Sequence, residues 1–277
     1  MTSDVKQLKR HLDVVAFNVK GASTLVDSLL AGRIRTLEFK GDHWVVNGRK
    51  ISIKSIIFQL DRFDDRAALQ MRRQTIKLAT GEITYKEWVE FMESMITGSH
   101  LALAMLASFA TVAVVSKSPS IMSAISSDLR YFENFKKDID KKLKALNKAL
   151  KNNANPSDLI KQVIALVKAK QLGRADDSLA VSLAKTFRKA VWRSKMYLKS
   201  IRNTFWQVSQ EAHKLLGYTE AMRILTAKES CKKVGDELGC VDVAGRWIKI
   251  DKMPPIGTLV CKNFCKCYLI FRKTSTT

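Results

Sequence analysis

Residues 101–115 read LALAMLASFATVAVV, and this stretch decides the fold class that the sequence predicts. It lies in an uncharged window from Ser94 to Ser116 and is rich in alanine. Its dense apolar part is shorter than the roughly 20 residues that a membrane-spanning helix needs. A helix that is apolar on all sides but too short to span a bilayer is typical of the centre of a helical bundle. Transient membrane insertion of this segment is the alternative, and a membrane partner is not expected.

Long amphipathic helices are predicted on both sides of this central segment. Their boundaries follow from Gly81 after one helix, from a T-x-x-E capping box at Thr84 and Glu87, and from Ser-Pro and Asn-Pro pairs before later helices. Besides the helix that begins at the capping box, the predicted helices cover residues 5–30 (with a small-residue interruption at 21–23), 53–78, 119–151, 159–173 and 177–216.

Two regions instead alternate apolar and polar residues, as β-strands do. IRTLEF and HWVV, separated by a Lys-Gly-Asp turn and followed by Asn-Gly, predict a β-hairpin. Near the C-terminus, VDVAGRWIKI and CKCYLIFRK predict short strands, with Cys265, Cys267, Leu269 and Phe271 on one face. The predicted fold class is therefore α+β, mainly α, with an elongated helical body. Its parts are an N-terminal helical segment (1–32), a β-hairpin (33–52), a helical body with a basic middle region (53–226) and a small Cys-containing C-terminal β module (227–277).

The chain carries a formal net charge of +22, and the charge is unevenly distributed. Residues 1–100 hold 16 Lys and Arg against 12 Asp and Glu, whereas residues 141–202 hold 16 against 3. Such an excess indicates a polyanionic partner, nucleic acid before an anionic membrane surface. A basic face that is merely solvated is the alternative. The candidate contacts to DNA phosphates on the longest helix are Lys185, Arg188, Lys189, Arg193, Lys195, Lys199 and Arg202, and the Lys-rich stretch 141–170 adds to them.

Catalytic motifs are not found in this sequence. It has no GxGxxG, Walker loop, HExxH or GxSxG, and none of its four histidines lies in a motif that supplies a nucleophile, a carboxylate partner or a second metal ligand. His100, beside the apolar stretch, is interpreted as a helix residue with a satisfied hydrogen bond. The acidic run DRFDD at 61–65 is interpreted as local ion pairs with its two arginines. We therefore expect a protein that is not an enzyme.

The five cysteines are the remaining chemistry, and all lie in the last fifth of the chain. Four thiolates suit a tetrahedral zinc ion, on which small β modules with little core often depend. A set of reduced, buried thiols accounts for the spacing equally well, and disulfides are the weaker alternative because the count is odd and no secretory signal is expected at residues 1–20. The candidate structural metal ligands are Cys231, Cys240, Cys261, Cys265 and Cys267; the favoured set is the first three with one of the last two.

Three stretches in order resemble the minor head (head-morphogenesis, Mu F-like) proteins of tailed phages. They are GDHWVVNGRKIS with the following LATGEITYKEWVEFMESMITGSH, the helix SKMYLKSIRNTFWQVSQEAHKLLGYTEAMRIL, and the tail ESCKKVGDELGCVDVAGRWIKIDKMPPIGTLVCKNFCKCYLIFRK. Together they cover more than half of the chain. The sequence departs from the family pattern in two places: its upstream cysteine pair is opened to Cys231 and Cys240, and a Lys/Asn-rich stretch occupies residues 141–170.

The resemblance implies a structural virion protein that assists head assembly and DNA packaging or delivery. It implies assembly in the host cytoplasm and a place in the phage head interior or at the portal vertex and neck. The implied partners are the portal protein, the major capsid or neck proteins and packaged double-stranded DNA. A free basic DNA-binding protein and a membrane-active ejection protein remain the alternative functions.

Overall fold

The computed structural model describes residues 3–152, 157–158, 161–162, 165, 179–226, 232, 234–260, 265 and 267–274. Long helices dominate this part of the chain, and two three-stranded sheets accompany them, which confirms the predicted mainly α, α+β class. The helices are α1 Ser3–Val19, α2 Thr24–Leu30, α3 Ile53–Thr80, α4 Tyr85–Ser108, α5 Val112–Val115, α6 Pro119–Lys151, α7 Leu179–Leu215 and α8 Cys240–Val243. The strands are β1 Leu37–Phe39, β2 His43–Val46, β3 Arg49–Ser52, β4 Glu220–Ile224, β5 Trp247–Lys249 and β6 Tyr268–Arg272.

Helix α4 is the centre of the helical body, and it packs against α1, α3, α6 and α7. Residues 95–104 are buried on every side of this helix, which confirms the prediction of a central bundle helix for the first part of 101–115. The rest of that stretch is a correction: α4 ends at Ser108, because Phe109 adopts a left-handed backbone with φ 51°, and the separate helix α5 leaves Val114 60% exposed. A Cβ atom at Gly98 would lie 2.3 Å from the carbonyl oxygen of His11, so glycine is what lets α1 approach the α4 backbone. Among the described residues, no helix is both long and apolar enough to cross a bilayer.

The predicted helix boundaries are largely confirmed. Helix α3 ends at Gly81, and α4 begins with the reciprocal capping box, in which the Thr84 amide donates to the Glu87 carboxylate at 2.7 Å. Helix α6 begins at Pro119 and ends at Lys151, as the Ser-Pro pair and the periodicity predict. The predicted helix over 159–173 lies largely outside the described residues.

The N-terminal sheet has one more strand than the predicted hairpin. It is a meander of order β1-β2-β3, with Phe39 opposite Trp44 and Val46 opposite Arg49. The third strand, RKIS, has no buried residue and therefore lacks the alternating pattern from which a strand is predicted. Trp44 of the neighbouring strand β2 is buried and stacks on Phe205 of α7, so this sheet packs against the helical body.

The C-terminal sheet has the order β5-β4-β6, with both pairs antiparallel. Its central strand, Glu220–Ile224, falls in the range that the sequence analysis places in the helical body, so the C-terminal module extends back to Glu220. The two sheets also meet. The Phe271 amide donates to the Gly41 carbonyl at 3.2 Å, and the Tyr218 hydroxyl donates to the Phe39 carbonyl at 2.7 Å.

Candidate metal centre and basic surface

Three thiols converge in the interior of the C-terminal module. Cys240 is the first residue of α8, and Cys265 and Cys267 lie just before β6, on the face of that run that points inward. Their Sγ atoms all lie within 4.8 Å of one another, with 3.6 Å between those of Cys240 and Cys265. The three residues are buried, and none of them is in a disulfide. This buried cluster could hold a metal ion.

Arg223 supplies a positive charge beside these thiols. It lies on the central strand β4, is 0% exposed, and donates from Nη1 to the Cys240 sulfur at 3.3 Å. Its Nη2 donates to the carbonyls of Pro254 and Pro255. Among the described residues no carboxylate forms an ion pair with it. A buried cation without a carboxylate partner favours an anion nearby, and the thiolates of a metal-bound cysteine cluster would supply that negative charge.

The chemistry of the donor set fits zinc. Hydrogen bonding to the Cys240 and Cys265 sulfurs, together with burial, raises the pKa of the Cys267 thiol, so Cys267 keeps its proton in the absence of a metal. Zinc binds thiolates and displaces such protons on binding. Three sulfur ligands leave one position of a tetrahedron for a fourth ligand.

The sequence analysis predicts this site in part. It favours only one of Cys265 and Cys267 together with Cys240, whereas the structure gathers both of them. The other two candidates, Cys231 and Cys261, lie outside the described residues. Sequence reasoning missed Arg223, because the alternation of EAMRI puts it on the face opposite Met222 and Ile224, which the pattern alone would assign to solvent. The structure instead buries the face of Ala221 and Arg223.

The seven candidate phosphate contacts do not form one uniform surface. Lys185 and Lys189 are exposed, while Arg193 is half-buried with its guanidinium 4.8 Å from the centre of the Phe135 ring. Arg202 is a correction. Its side chain is 15% exposed and pairs with Asp61 and Asp64 of α3. Among the described residues the acidic run 61–65 therefore pairs with a distant arginine, and the predicted local ion pairs with Arg62 and Arg66 are not found. Of the remaining candidates, Arg188 and Lys199 are half-buried with other contacts, and the side chain of Lys195 is not described.

Helices α6 and α7 continue beyond the helical body. The Tyr85 hydroxyl at the start of α4 donates to the Lys136 carbonyl, and Trp88 packs on Phe132, so α4 and α6 are antiparallel and α6 runs past the beginning of α4. Helices α6 and α7 are also antiparallel, because Phe132 contacts Tyr197 and the later residue Phe135 contacts the earlier residue Arg193. We call residues 137–151 of α6 and 179–192 of α7 the basic arm. It holds nine Lys and Arg against two Asp.

A polar network lies in the middle of the helical body. His100 of α4 contacts the Asp128 carboxylate of α6 through Nε2 at 3.1 Å and the Thr204 hydroxyl of α7 through Nδ1 at 2.9 Å. The prediction that His100 is a satisfied helix residue agrees with these contacts. The carboxylate that no local motif supplies comes from a residue 28 positions away. All three residues are at most 5% exposed, so the arrangement joins three helices and does not present a nucleophile at the surface.

Comparison with known proteins adds no family or fold relative. No family model, curated protein or solved structure matches the chain.

Proposed function

We propose that the protein is a structural component of a tailed-phage particle, located in the head interior or at the portal vertex, whose basic arm contacts the phosphates of packaged double-stranded DNA. The basic arm is the observation that carries this proposal. Lys185 and Lys189 are exposed, and neither is paired with a carboxylate among the described residues. The resemblance of the sequence to minor head proteins supports the location in the phage particle. It also supports the portal protein and the capsid or neck proteins as partners.

Electrostatics favour this use of the basic arm. Each Lys or Arg that neutralises a phosphate releases condensed counterions, and the logarithm of the affinity for duplex DNA then falls with the logarithm of the salt concentration at about 0.9 per phosphate. The contacts need no base recognition, which suits a protein that meets genome sequence of any kind.

The experiment is a salt titration of duplex DNA binding with the full chain. We expect the affinity of Lys185→Glu/Lys189→Glu to fall and its salt slope to decrease by about two phosphate contacts. The matched control is Lys50→Glu/Lys54→Glu, which makes the same charge change at exposed positions of β3 and α3. Equal losses in the two variants, or binding that is indifferent to salt, would contradict a role for the arm.

The particle assignment has its own test. Mass spectrometry of purified phage particles should detect the protein, and purified portal protein should retain it in a pull-down. A protein found in infected cells but not in particles would instead support the free DNA-binding alternative. The membrane-active alternative has weaker support, because residues 101–104 lie in the centre of the helical body.

We further propose that the cysteine cluster holds a structural zinc ion, with Cys240, Cys265 and Cys267 as three ligands and Cys231 or Cys261 as the fourth. Arg223 would offset part of the negative charge of the thiolates. Elemental analysis of the purified full chain should find one zinc per molecule, and Cys240→Ser should lose it. Absence of metal from a protein purified under reducing conditions would leave the cluster as reduced thiols.

A further inference from the structure

A small pocket with aromatic walls lies at the base of the basic arm. It has a volume of about 180 Å³ and lies between α6 and α7, with lining residues Asp128, Tyr131, Trp192, Arg193, Met196 and Tyr197. Pockets for drug-sized ligands begin at about 300 Å³, so this pocket suits a single small planar group. Asp128 connects it to the polar network of the helical body.

The walls of the pocket are unusually exposed aromatic side chains. Tyr131 is 62% exposed and Trp192 is 57% exposed, while three of the five tryptophans of the chain, Trp44, Trp88 and Trp206, are at most 1% exposed. Among the described residues, neither ring stacks on another aromatic ring. Their faces are therefore available to a planar ligand.

The floor of the pocket holds a buried tyrosine hydroxyl. No hydrogen bond of ordinary geometry reaches the Tyr197 hydroxyl among the described residues, although the Arg193 side chain lies beside it. Burial raises the pKa of this phenol to about 12, against the effect of nearby Arg193, so the hydroxyl keeps its proton and can donate. Asp128, 5% exposed, accepts a hydrogen bond from His100 through Oδ2 and places its carboxylate beside this hydroxyl. A buried hydroxyl at the floor of a pocket indicates a ligand with a polar edge.

The charges around the pocket decide what kind of planar group fits. Aromatic rings with a carboxylate also suit an alkylated ammonium ion. Here Arg193 lines the pocket and Lys185 and Lys189 lie on the same helix, so a cation would be repelled. A neutral heterocycle attached to a phosphate would instead be attracted, because the ring enters the pocket while the phosphate meets the lysines. Base stacking on exposed aromatic residues within a positive surface is the usual mode of single-strand recognition.

We propose that this pocket binds an unpaired nucleobase of single-stranded DNA, stacked against Trp192 and Tyr131, with its polar edge toward Asp128, Tyr197 and Arg193. The inference rests on the proposed DNA contact of the basic arm, and it adds a second mode to it. Duplex DNA meets the lysines alone, whereas a strand end or an opened duplex also places a base in the pocket.

The experiment compares a short single-stranded oligonucleotide with a blunt duplex, each measured against the full chain and its variants. We expect Trp192→Ala to weaken single-strand binding about tenfold or more and to leave duplex binding nearly unchanged. Tyr197→Phe removes a hydroxyl that makes no hydrogen bond of ordinary geometry to a described residue, so it should preserve the fold and weaken single-strand binding about two- to tenfold. The matched control is Phe17→Ala, since Phe17 is 84% exposed on α1, away from the arm.

The outcomes separate this inference from the proposed function. Salt-dependent duplex binding together with single-strand binding that is unaffected by Trp192→Ala overturns the base pocket and leaves the proposed duplex contact in place. Loss of duplex binding with dGMP still quenching the fluorescence of Trp192 overturns the duplex contact and supports the pocket. Equal quenching by tetramethylammonium would also overturn the inference, because it would identify a pocket for cations.

Discussion

The helical body and the C-terminal module complete their interiors in different ways. The helical body surrounds α4 with apolar side chains from four helices, and His100 and Asp128 in its interior hydrogen-bond to each other. The C-terminal module has three strands of at most five residues, and its interior brings together three thiols and one arginine. A large apolar core can close itself, whereas a small one depends on a stronger local interaction. We therefore expect the two regions to respond differently to the same kinds of perturbation.

The largest expected effect is in the helical core. Trp88 is 0% exposed, and its indole nitrogen donates to the Thr75 hydroxyl at 3.2 Å. Trp88→Ala should lower the free energy of unfolding by about 3–5 kcal/mol, because it leaves a cavity that the neighbouring helices cannot fill. Urea denaturation measures this change. The matched control is Trp192→Ala, which should stay within about 0.5 kcal/mol; equal effects would show that Trp88 is not a core residue.

The next effect concerns the junction of the two sheets, where His213 stacks on Phe271 at 3.9 Å between ring centres. Burial lowers the pKa of His213 from 6.5 to about 4. Between pH 6.5 and 4 the unfolded chain therefore binds a proton at this histidine and the folded chain does not. The free energy of unfolding is thus highest above pH 6.5 and falls by up to about 3 kcal/mol as the pH is lowered toward 4.

His213→Phe should remove this part of the pH dependence while keeping the aromatic stack. Asp64, whose pKa burial raises to about 8, contributes the opposite slope in both proteins and cancels in the comparison. The measurement is the free energy of unfolding of both proteins at several pH values between 7 and 4. Parallel curves for the two proteins would mean that His213 is protonated in the folded state as readily as in the unfolded state.

A smaller effect is expected at the polar network of the helical body. Asp128→Ala removes the partner of His100 Nε2 and should cost about 1–3 kcal/mol, because a buried nitrogen is left without a hydrogen bond. Asp128→Asn keeps an oxygen that can accept and should cost less. Thermal unfolding of the two variants measures the difference. An alanine variant as stable as the asparagine variant would show that the hydrogen bond from His100 to Asp128 does not stabilise the fold.

The smallest effect is at the link between the two sheets. The Tyr218 hydroxyl donates to the Phe39 carbonyl across 179 positions of the chain. Tyr218→Phe deletes only this bond and should cost about 0.5–1.5 kcal/mol, detectable as a shift in the urea midpoint. Tyr268→Phe, at a half-buried tyrosine of β6, is the control and should leave the midpoint in place.

The features that could be predicted from the sequence are those that depend on residues close together along the chain. The capping box of Thr84, the helix that begins at Pro119 and the apolar surroundings of α4 all follow from residues within a few turns of one another. Contacts between distant positions could not be predicted in this way. The pairing of Arg202 with Asp61 spans 141 positions, and the partners of His100 lie 28 and 104 positions away. Hydrophobic periodicity cannot predict such pairs, because it indicates which face of a helix is buried but not which distant residue packs against that face.

The candidate sites were likewise predictable only where they depend on residues close in sequence. The close spacing of Cys265 and Cys267 indicated that they share one face of an extended run, but the approach of Cys240 joins positions 25 residues apart. For the basic helix, composition predicted the excess of positive charge. It could not separate exposed lysines such as Lys185 from Arg202, whose charge is used within the fold.

Hydrogen exchange of the full chain before and after zinc removal tests most directly the claim that the helical body closes itself while the C-terminal module depends on a metal. With a zinc chelator, we expect the amides of β4 and β6 to lose protection, whereas those of α4 keep theirs, and readdition of zinc should restore the difference. Unchanged protection of the module after chelation, or simultaneous loss in α4, would contradict the account.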